Sequence, residues 1–218
     1  MIDNIFSVKG KIALISGASS GLGEHMAEML AGNGVAVVCG ARRMDLLQDL
    51  ADRIKSKGGK ALAVAMDVTD RLSVKAAFDA AEKEFGTPDI VVCNAGATGA
   101  QPFLEMEEAV WDNVLTVNLK GVFNLGQEGA QRMVAAGKPG NIINISSICA
   151  VSSFKGLTHY SASKGAVNQL TRVMGHELAE HDIRVNALAP GFLHTDLVSD
   201  YYATPAGQEH LASLPLKR

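Results

Sequence analysis

Tyr160 and Lys164 lie four residues apart in a segment whose apolar spacing predicts a helix over 159–180. Residues four apart on a helix share a face, so the phenol and the ammonium would meet. A free phenol titrates near about 10, too high for easy proton transfer at neutral pH. A neighbouring ammonium favours the phenolate and lowers that value, so the pair can serve as a general acid/base. Alone, a Tyr-x-x-x-Lys spacing is common and is also an ordinary surface pair. Two further residues change its weight. Ser147 follows an apolar run 13 residues before Tyr160, where its hydroxyl could hydrogen-bond a carbonyl oxygen as negative charge develops there. Asn118, between Val117 and Leu119 in a predicted helix, is a poor helix former in an apolar setting, and its amide would need partners there.

These side chains must be held by the elements around them. Short apolar, β-branched runs predict strands at 11–16, 35–39, 61–65, 89–93, 141–146 and 183–189. Helical spacing predicts helices at roughly 22–32, 43–57, 70–85, 107–136 and 159–180, with glycine clusters punctuating their ends. Strands alternating with helices give an α/β fold, a doubly wound parallel sheet with helices on both faces. Near-continuous apolar strands fit burial on both sides. No linker or low-complexity tract interrupts the chain, so residues 1–218 are expected to form a single domain, with 190–218 as a substrate-loop region.

Ligands of such a sheet bind outside the carboxyl ends of the strands. After the first strand comes Ser16-Gly17-Ala18-Ser19-Ser20-Gly21-Leu22-Gly23, a glycine-rich turn opening a helix. Backbone amides and a helix amino end can approach a pyrophosphate there, although a tight turn alone also uses such residues. After the second strand comes Ala41-Arg42-Arg43, where an NAD site normally carries a carboxylate for the ribose 2′-hydroxyl. Arginine suits a 2′-phosphate, so NADP(H) is favoured and NAD(H) remains open. After the third strand, Asp67 and the adjacent Val68 backbone could meet an adenine amino group, and Asp70 reads as a helix N-cap. After the fourth, Asn94-Ala95-Gly96 are small enough to let a ribose lie against the backbone. After the sixth come Pro190, Gly191 and Thr195, the last placed to meet a nicotinamide amide or phosphates.

Composition narrows the alternatives. A net charge of −3, with no basic run longer than a pair such as Arg42-Arg43, argues against nucleic acid or an anionic membrane as partner. The first residues carry no secretory pattern, and no apolar run is long enough to span a bilayer. Cys39, Cys93 and Cys149 lack zinc spacing, so no metal is expected; they read as buried free thiols, and the expected compartment is the cytoplasm. His159 reads as a solvent-facing residue at a helix start. His194 is ambiguous.

Taken together these residues resemble the short-chain dehydrogenase/reductase family, in its shorter single-domain branch. The resemblance runs from about Lys9 to Thr195 and rests on Gly17, Gly21 and Gly23, Asp67, Asn94-Ala95-Gly96, Asn118, Ser147, Tyr160 with Lys164, and Pro190-Gly191 with Thr195. It implies a Rossmann-type sheet of strand order 3-2-1-4-5-6. It also implies a hydride exchanged between a nicotinamide and a ketone or alcohol. Tyr160 would be the acid/base, and Ser147 would orient and polarise the substrate oxygen. Lys164 would hold the nicotinamide ribose and lower the phenol pKa, and Asn118 would fix a water leading to solvent. Cofactor contacts are implied at Gly17, Ser19, Ser20, Gly21, Leu22, Gly23, Arg42, Arg43, Asp67, Val68, Asn94, Ala95, Gly96, Tyr160, Lys164, Pro190, Gly191 and Thr195. Ser147, Cys149, Phe154, Tyr160, Phe192, Leu193 and Leu197 are expected around a mainly apolar substrate pocket. A homodimer or homotetramer is implied. Ser16 replaces the family's usual threonine, and Cys93 replaces the first of a doubled asparagine. The family's last helix and seventh strand are not found before Arg218, which leaves a cofactor-binding protein without turnover as the alternative. A sugar-nucleotide epimerase of the longer branch would need a further substrate domain.

Overall fold

The computed structural model describes residues 6–193 and 202–213. Strands β1 (Ile12–Ser16), β2 (Ala36–Ala41), β3 (Lys60–Ala65), β4 (Ile90–Cys93), β5 (Gly140–Ile145) and β6 (Ile183–Leu188) form one parallel sheet ordered β3-β2-β1-β4-β5-β6. The connecting helices are α1 (Gly21–Gly32), α2 (Met44–Ser56), α3 (Arg71–Glu84), α4 (Glu108–Leu115), α5 (Gly121–Ala135) and α6 (Thr158–Glu177), and a short α7 (Pro205–Ser213) follows the sheet. The sequence-predicted order 3-2-1-4-5-6 is the order observed, and each strand reads as expected within a residue or two.

Successive side chains of a strand point to opposite faces, and the core divides accordingly. Leu14, Val38 and Val91 pack with Phe78, Leu125, Met133 and Val167 on one face. Ala13, Ile15 and Val37 pack with Leu47, Leu50, Ala51 and Ile54 on the other. The wholly buried β2 and β4 explain why those strands read as unbroken apolar runs. Among the described residues β6 pairs with β5 alone and most of it is exposed, with Leu188 open to solvent.

One element departs from its expectation. The helix predicted over 107–136 is two helices, α4 and α5, joined by a π-helical turn at Thr116–Lys120. Such turns insert one residue into the hydrogen-bond ladder and re-aim the side chains beside it. The re-aimed residue is Asn118.

Candidate active site

The carboxyl rim of the sheet is tied together by one hydroxyl. Ser16, last in β1, donates to the Val92 carbonyl at 3.2 Å and accepts from the Asn94 and Ala95 amides at 2.9 and 3.0 Å. The Asn94 side chain returns the link, its Nδ2 donating to the carbonyls of Ser16 and Gly17. The glycine turn therefore lies directly against the segment after β4, which leaves no room for side chains. Gly17 has φ +66°, and a Cβ there would stand 2.9 Å from the Ala95 Cα; a Cβ on Gly23 would stand 2.3 Å from the Gly17 carbonyl oxygen. Ser20 occupies the N-cap of α1 in extended conformation, and its side chain makes no capping bond. Leu22 lies within the first turn. An uncapped helix amino end beside a bare backbone turn is a ready anion site.

Two arginines from the β2–α2 turn flank it. Arg43 donates to the hydroxyls of Ser19 at 2.9 Å and Ser20 at 2.8 Å. Arg42 is exposed and faces Asp67. The Asp67 carboxyl is held below the usual range, first by the Thr69 amide and hydroxyl, which donate to Oδ1 at 2.9 and 2.7 Å, and more weakly by Arg42. Much of its capacity is thus spent on a local turn. Val68 is buried and its carbonyl accepts from Asn124. Asp70 caps α3 as expected, accepting from the Leu72 amide.

Asn118 is fully buried and fully engaged. Its Oδ1 accepts from the Ala97 amide at 2.7 Å; its Nδ2 donates to the Ala97 carbonyl at 2.9 Å and to the Ser163 hydroxyl at 3.0 Å. The side chain thus pairs with Ala97 as a neighbouring strand would, which fixes the loop after Gly96. Ser163 completes the chain by donating to the Tyr160 carbonyl at 2.7 Å. The sequence reading passed over Ser163. The available signal was its position four residues after His159 and four before Val167, on the buried face of α6.

Lys164 is 3% exposed, and its ammonium donates to the Ile145 carbonyl at 2.7 Å. The same nitrogen stands 5.6 Å from the centre of the Tyr160 ring and 3.9 Å from where a Cβ on Gly96 would lie. Among the described residues no carboxylate pairs with it, and burial lowers its pKa to about 8. Burial pushes the Tyr160 phenol above its ordinary value, while the facing Ser147 hydroxyl pulls it back and the nearby Cys149 thiol adds to the rise. Desolvation is the largest influence on the phenol, and Lys164 is not among the groups that shift it here. Ser147 is buried at the end of β5, and its oxygen accepts from the Cys149 amide at 3.1 Å. That bond occupies an acceptor lone pair and leaves the hydroxyl hydrogen free to turn toward the phenol or a bound oxygen.

The remaining expectations divide. The Pro190 carbonyl accepts from the Ile148 amide at 2.9 Å, which brings the start of the tail beside Ser147. Phe192 meets Phe154 edge-on at 5.2 Å and Tyr202 at 6.3 Å, while Gly191 and Leu193 are exposed. Thr195, Leu197 and His194 lie outside the described residues. Cys39, Cys93 and Cys149 are buried free thiols, and burial pushes the first two up to about 12. His159 is a correction: it faces inward and is completely buried, because it continues the Ser163–Val167–Thr171 face that α6 turns to the core.

The bare glycine cradle, the uncapped α1 amino end and the unpaired buried ammonium fit an extended phosphate-bearing dinucleotide. Gly17 to Gly23, with Arg42 and Arg43, would hold its phosphates, while Asn94 to Gly96 and Lys164 would hold a ribose.

Comparison with known proteins agrees. Residues 11–206 match the family model described as short chain dehydrogenase. The chain is 36% identical over 211 residues to the 3-oxoacyl-(acyl-carrier-protein) reductase FabG of Thermotoga maritima, covering 97% of this chain and 85% of that one. Among solved structures it is similar to a short-chain type dehydrogenase/reductase from Mycobacterium marinum, with TM-score 0.94 and 39% identity, covering all of this chain and 86% of that one. It is also similar to a gluconate 5-dehydrogenase from Burkholderia cenocepacia in complex with NADP and tartrate, with TM-score 0.90, 36% identity and coverage of 94% and 80%.

Proposed function

The chain belongs to the short-chain dehydrogenase family, and from that premise we propose that it is an NADP(H)-preferring oxidoreductase that interconverts a ketone and a secondary alcohol. The observation that carries this reading is the meeting of Ser147, Tyr160 and Lys164 at one rim, beside the glycine turn. When bound, a nicotinamide supplies or accepts the hydride. In reduction, the Ser147 hydroxyl donates to the substrate oxygen as charge develops on it, and the Tyr160 phenol delivers the proton. In oxidation, the phenolate removes the alcohol proton. Lys164, charged and anchored on Ile145, favours that phenolate, and Asn118 keeps the Ala97 loop in place above it.

Arg42 and Arg43, with no carboxylate at Ala41, support NADP(H) over NAD(H), and a relative of known structure carries NADP. The ring contacts among Phe154, Phe192 and Tyr202 support a neutral, largely apolar substrate. The relatives' names supply two contrasting probes, a 3-oxoacyl thioester and gluconate. The test is a panel of cyclic and acyclic ketones, a 3-oxoacyl thioester and gluconate, followed by nicotinamide absorbance with NADPH or NADH. Turnover of apolar ketones, with Arg42→Ala raising the NADPH KM about tenfold and the NADH KM little, supports the assignment. Tight cofactor binding with no turnover on any probe would favour the cofactor-binding alternative, and equal effects of Arg42→Ala on both cofactors would overturn the NADP preference.

A further inference from the structure

His159 stands immediately before Tyr160, is completely buried, and does nothing in the chemistry above. Among the described residues neither ring nitrogen has a hydrogen-bond partner. Burial lowers its pKa and so favours the neutral ring, which carries one N–H and one lone pair. Native interiors rarely leave such groups unpaired, and each instance needs a physical explanation.

What faces the ring supplies one. The Gly99 backbone is close enough to favour the protonated ring, yet it is not in hydrogen-bond geometry with either nitrogen. Gly99 is the middle of the loop 97–101, which is pinned at both ends. Asn118 holds Ala97 by two bonds, and the Gln101 amide donates to the Gly156 carbonyl at 2.9 Å, three residues before His159. Among the described residues no hydrogen bond in standard geometry ties the centre, which begins two residues past Gly96, whose backbone faces the Lys164 ammonium. The loop is thus fixed at its hinges and has one unmade polar contact beneath its middle.

We propose that His159 is a positioning residue for the nicotinamide site: the loop settles onto the ring when cofactor binds, and an imidazole N–H then donates to the Gly99 carbonyl. This rests on the functional reading above. In the free protein the unpaired nitrogens are a cost; in the loaded protein the completed bond holds the Gly96–Gln101 backbone against the cofactor. The inference separates stability from binding, since replacing the ring by an apolar one should relieve the free state while weakening the bound one.

NADPH affinity by fluorescence titration, thermal midpoints with and without NADPH, and steady-state constants would be measured for the wild type, His159→Phe and His159→Asn. His159→Leu gives the same reading should the phenyl ring not fit. The apolar variants are expected to keep or raise the midpoint of the free protein and to bind NADPH about tenfold more weakly, with a KM raised in proportion and kcat within twofold. His159→Asn, which keeps an N–H donor, should recover part of the affinity. Amide exchange at 99–101 should slow on NADPH addition in the wild type and less in His159→Phe. Unchanged NADPH affinity in His159→Phe, or an equal loss of stability in free and loaded protein, would overturn the proposal. A wild type that binds neither NADPH nor NADH would instead remove the functional reading on which it stands.

Discussion

The two rims of the sheet are built on opposite principles. At the amino ends of the strands, Asp89 is 7% exposed and surrounded by partners: the Ile12 amide at 3.0 Å, Lys11 and Lys138 each at 3.4 Å, and, through its carbonyl, the Asn141 amide. That one residue joins β1, β4 and β5, and its charge is answered from two sides. At the carboxyl ends, the buried ammonium of Lys164 has a carbonyl but no counter-charge, α1 begins without a side-chain cap, and His159 has unpaired nitrogens. A cleft of about 360 Å³ does lie at the amino rim, lined by Gly10, Gly34 and Gly58 among others, but none of the candidate site residues lines it. One rim spends its polar groups on stability. The other leaves several of its polar groups open, as a ligand site would need, and the proposed chemistry is placed there.

The contrast can be broken from either side. Ser147→Ala removes a donor aimed at developing charge and should lower kcat by roughly 10²–10³-fold, with the thermal midpoint and NADPH affinity close to wild type. A loss of stability in place of activity would mean that Ser147 belongs to the scaffold. Asp89→Asn should do the reverse. It removes the charge answered by Lys11 and Lys138 and weakens the bond to the half-buried Ile12 amide, costing about 1–3 kcal/mol in denaturant unfolding, while kcat per folded molecule stays within twofold. A stable but inactive Asp89→Asn protein would erase the distinction between the rims.

How much of this was legible in the sequence follows from what periodicity records. The strands, their parallel winding and the residues at their carboxyl ends all announce themselves through apolar runs and the turns behind them. The π-helical turn at Thr116–Lys120 does not, because the apolar spacing of 107–136 continues across it; the only trace is an asparagine set among apolar neighbours. His159 was misread because an imidazole at a helix start normally faces water. Its burial is legible only along the stripe it shares with Ser163, Val167 and Thr171, two of which are polar and escape a count of apolar residues. The phenol adds a different case: spacing reveals the neighbouring ammonium, but not the balance of burial against charge, in which desolvation comes first at both groups.

That balance yields the smallest of the expected effects. Burial lowers Lys164 to about 8 in the folded protein, against 10.5 for the exposed side chain. Below pH 8 both states carry the proton, and the cost of burying the charge is present in full. Between about 8 and 10.5 the folded state releases its proton first, the unfolded chain binds more protons, and stability rises with pH. Relative to Lys164→Met, the wild-type thermal midpoint should therefore gain a few degrees between pH 7 and pH 10. A constant gap between the two proteins would mean that the ammonium is not buried in solution.

The central claim, that the Tyr160 phenol moves the proton, is tested most directly in Tyr160→Phe protein loaded with NADPH. Single-turnover reduction of the best ketone from the panel would be followed beside the wild type. The phenyl ring keeps the shape and lacks only the hydroxyl, so NADPH affinity and thermal midpoint should match the wild type while the reduction rate falls by roughly 10²–10⁴-fold. Reduction at the wild-type rate by the phenylalanine protein would contradict the account.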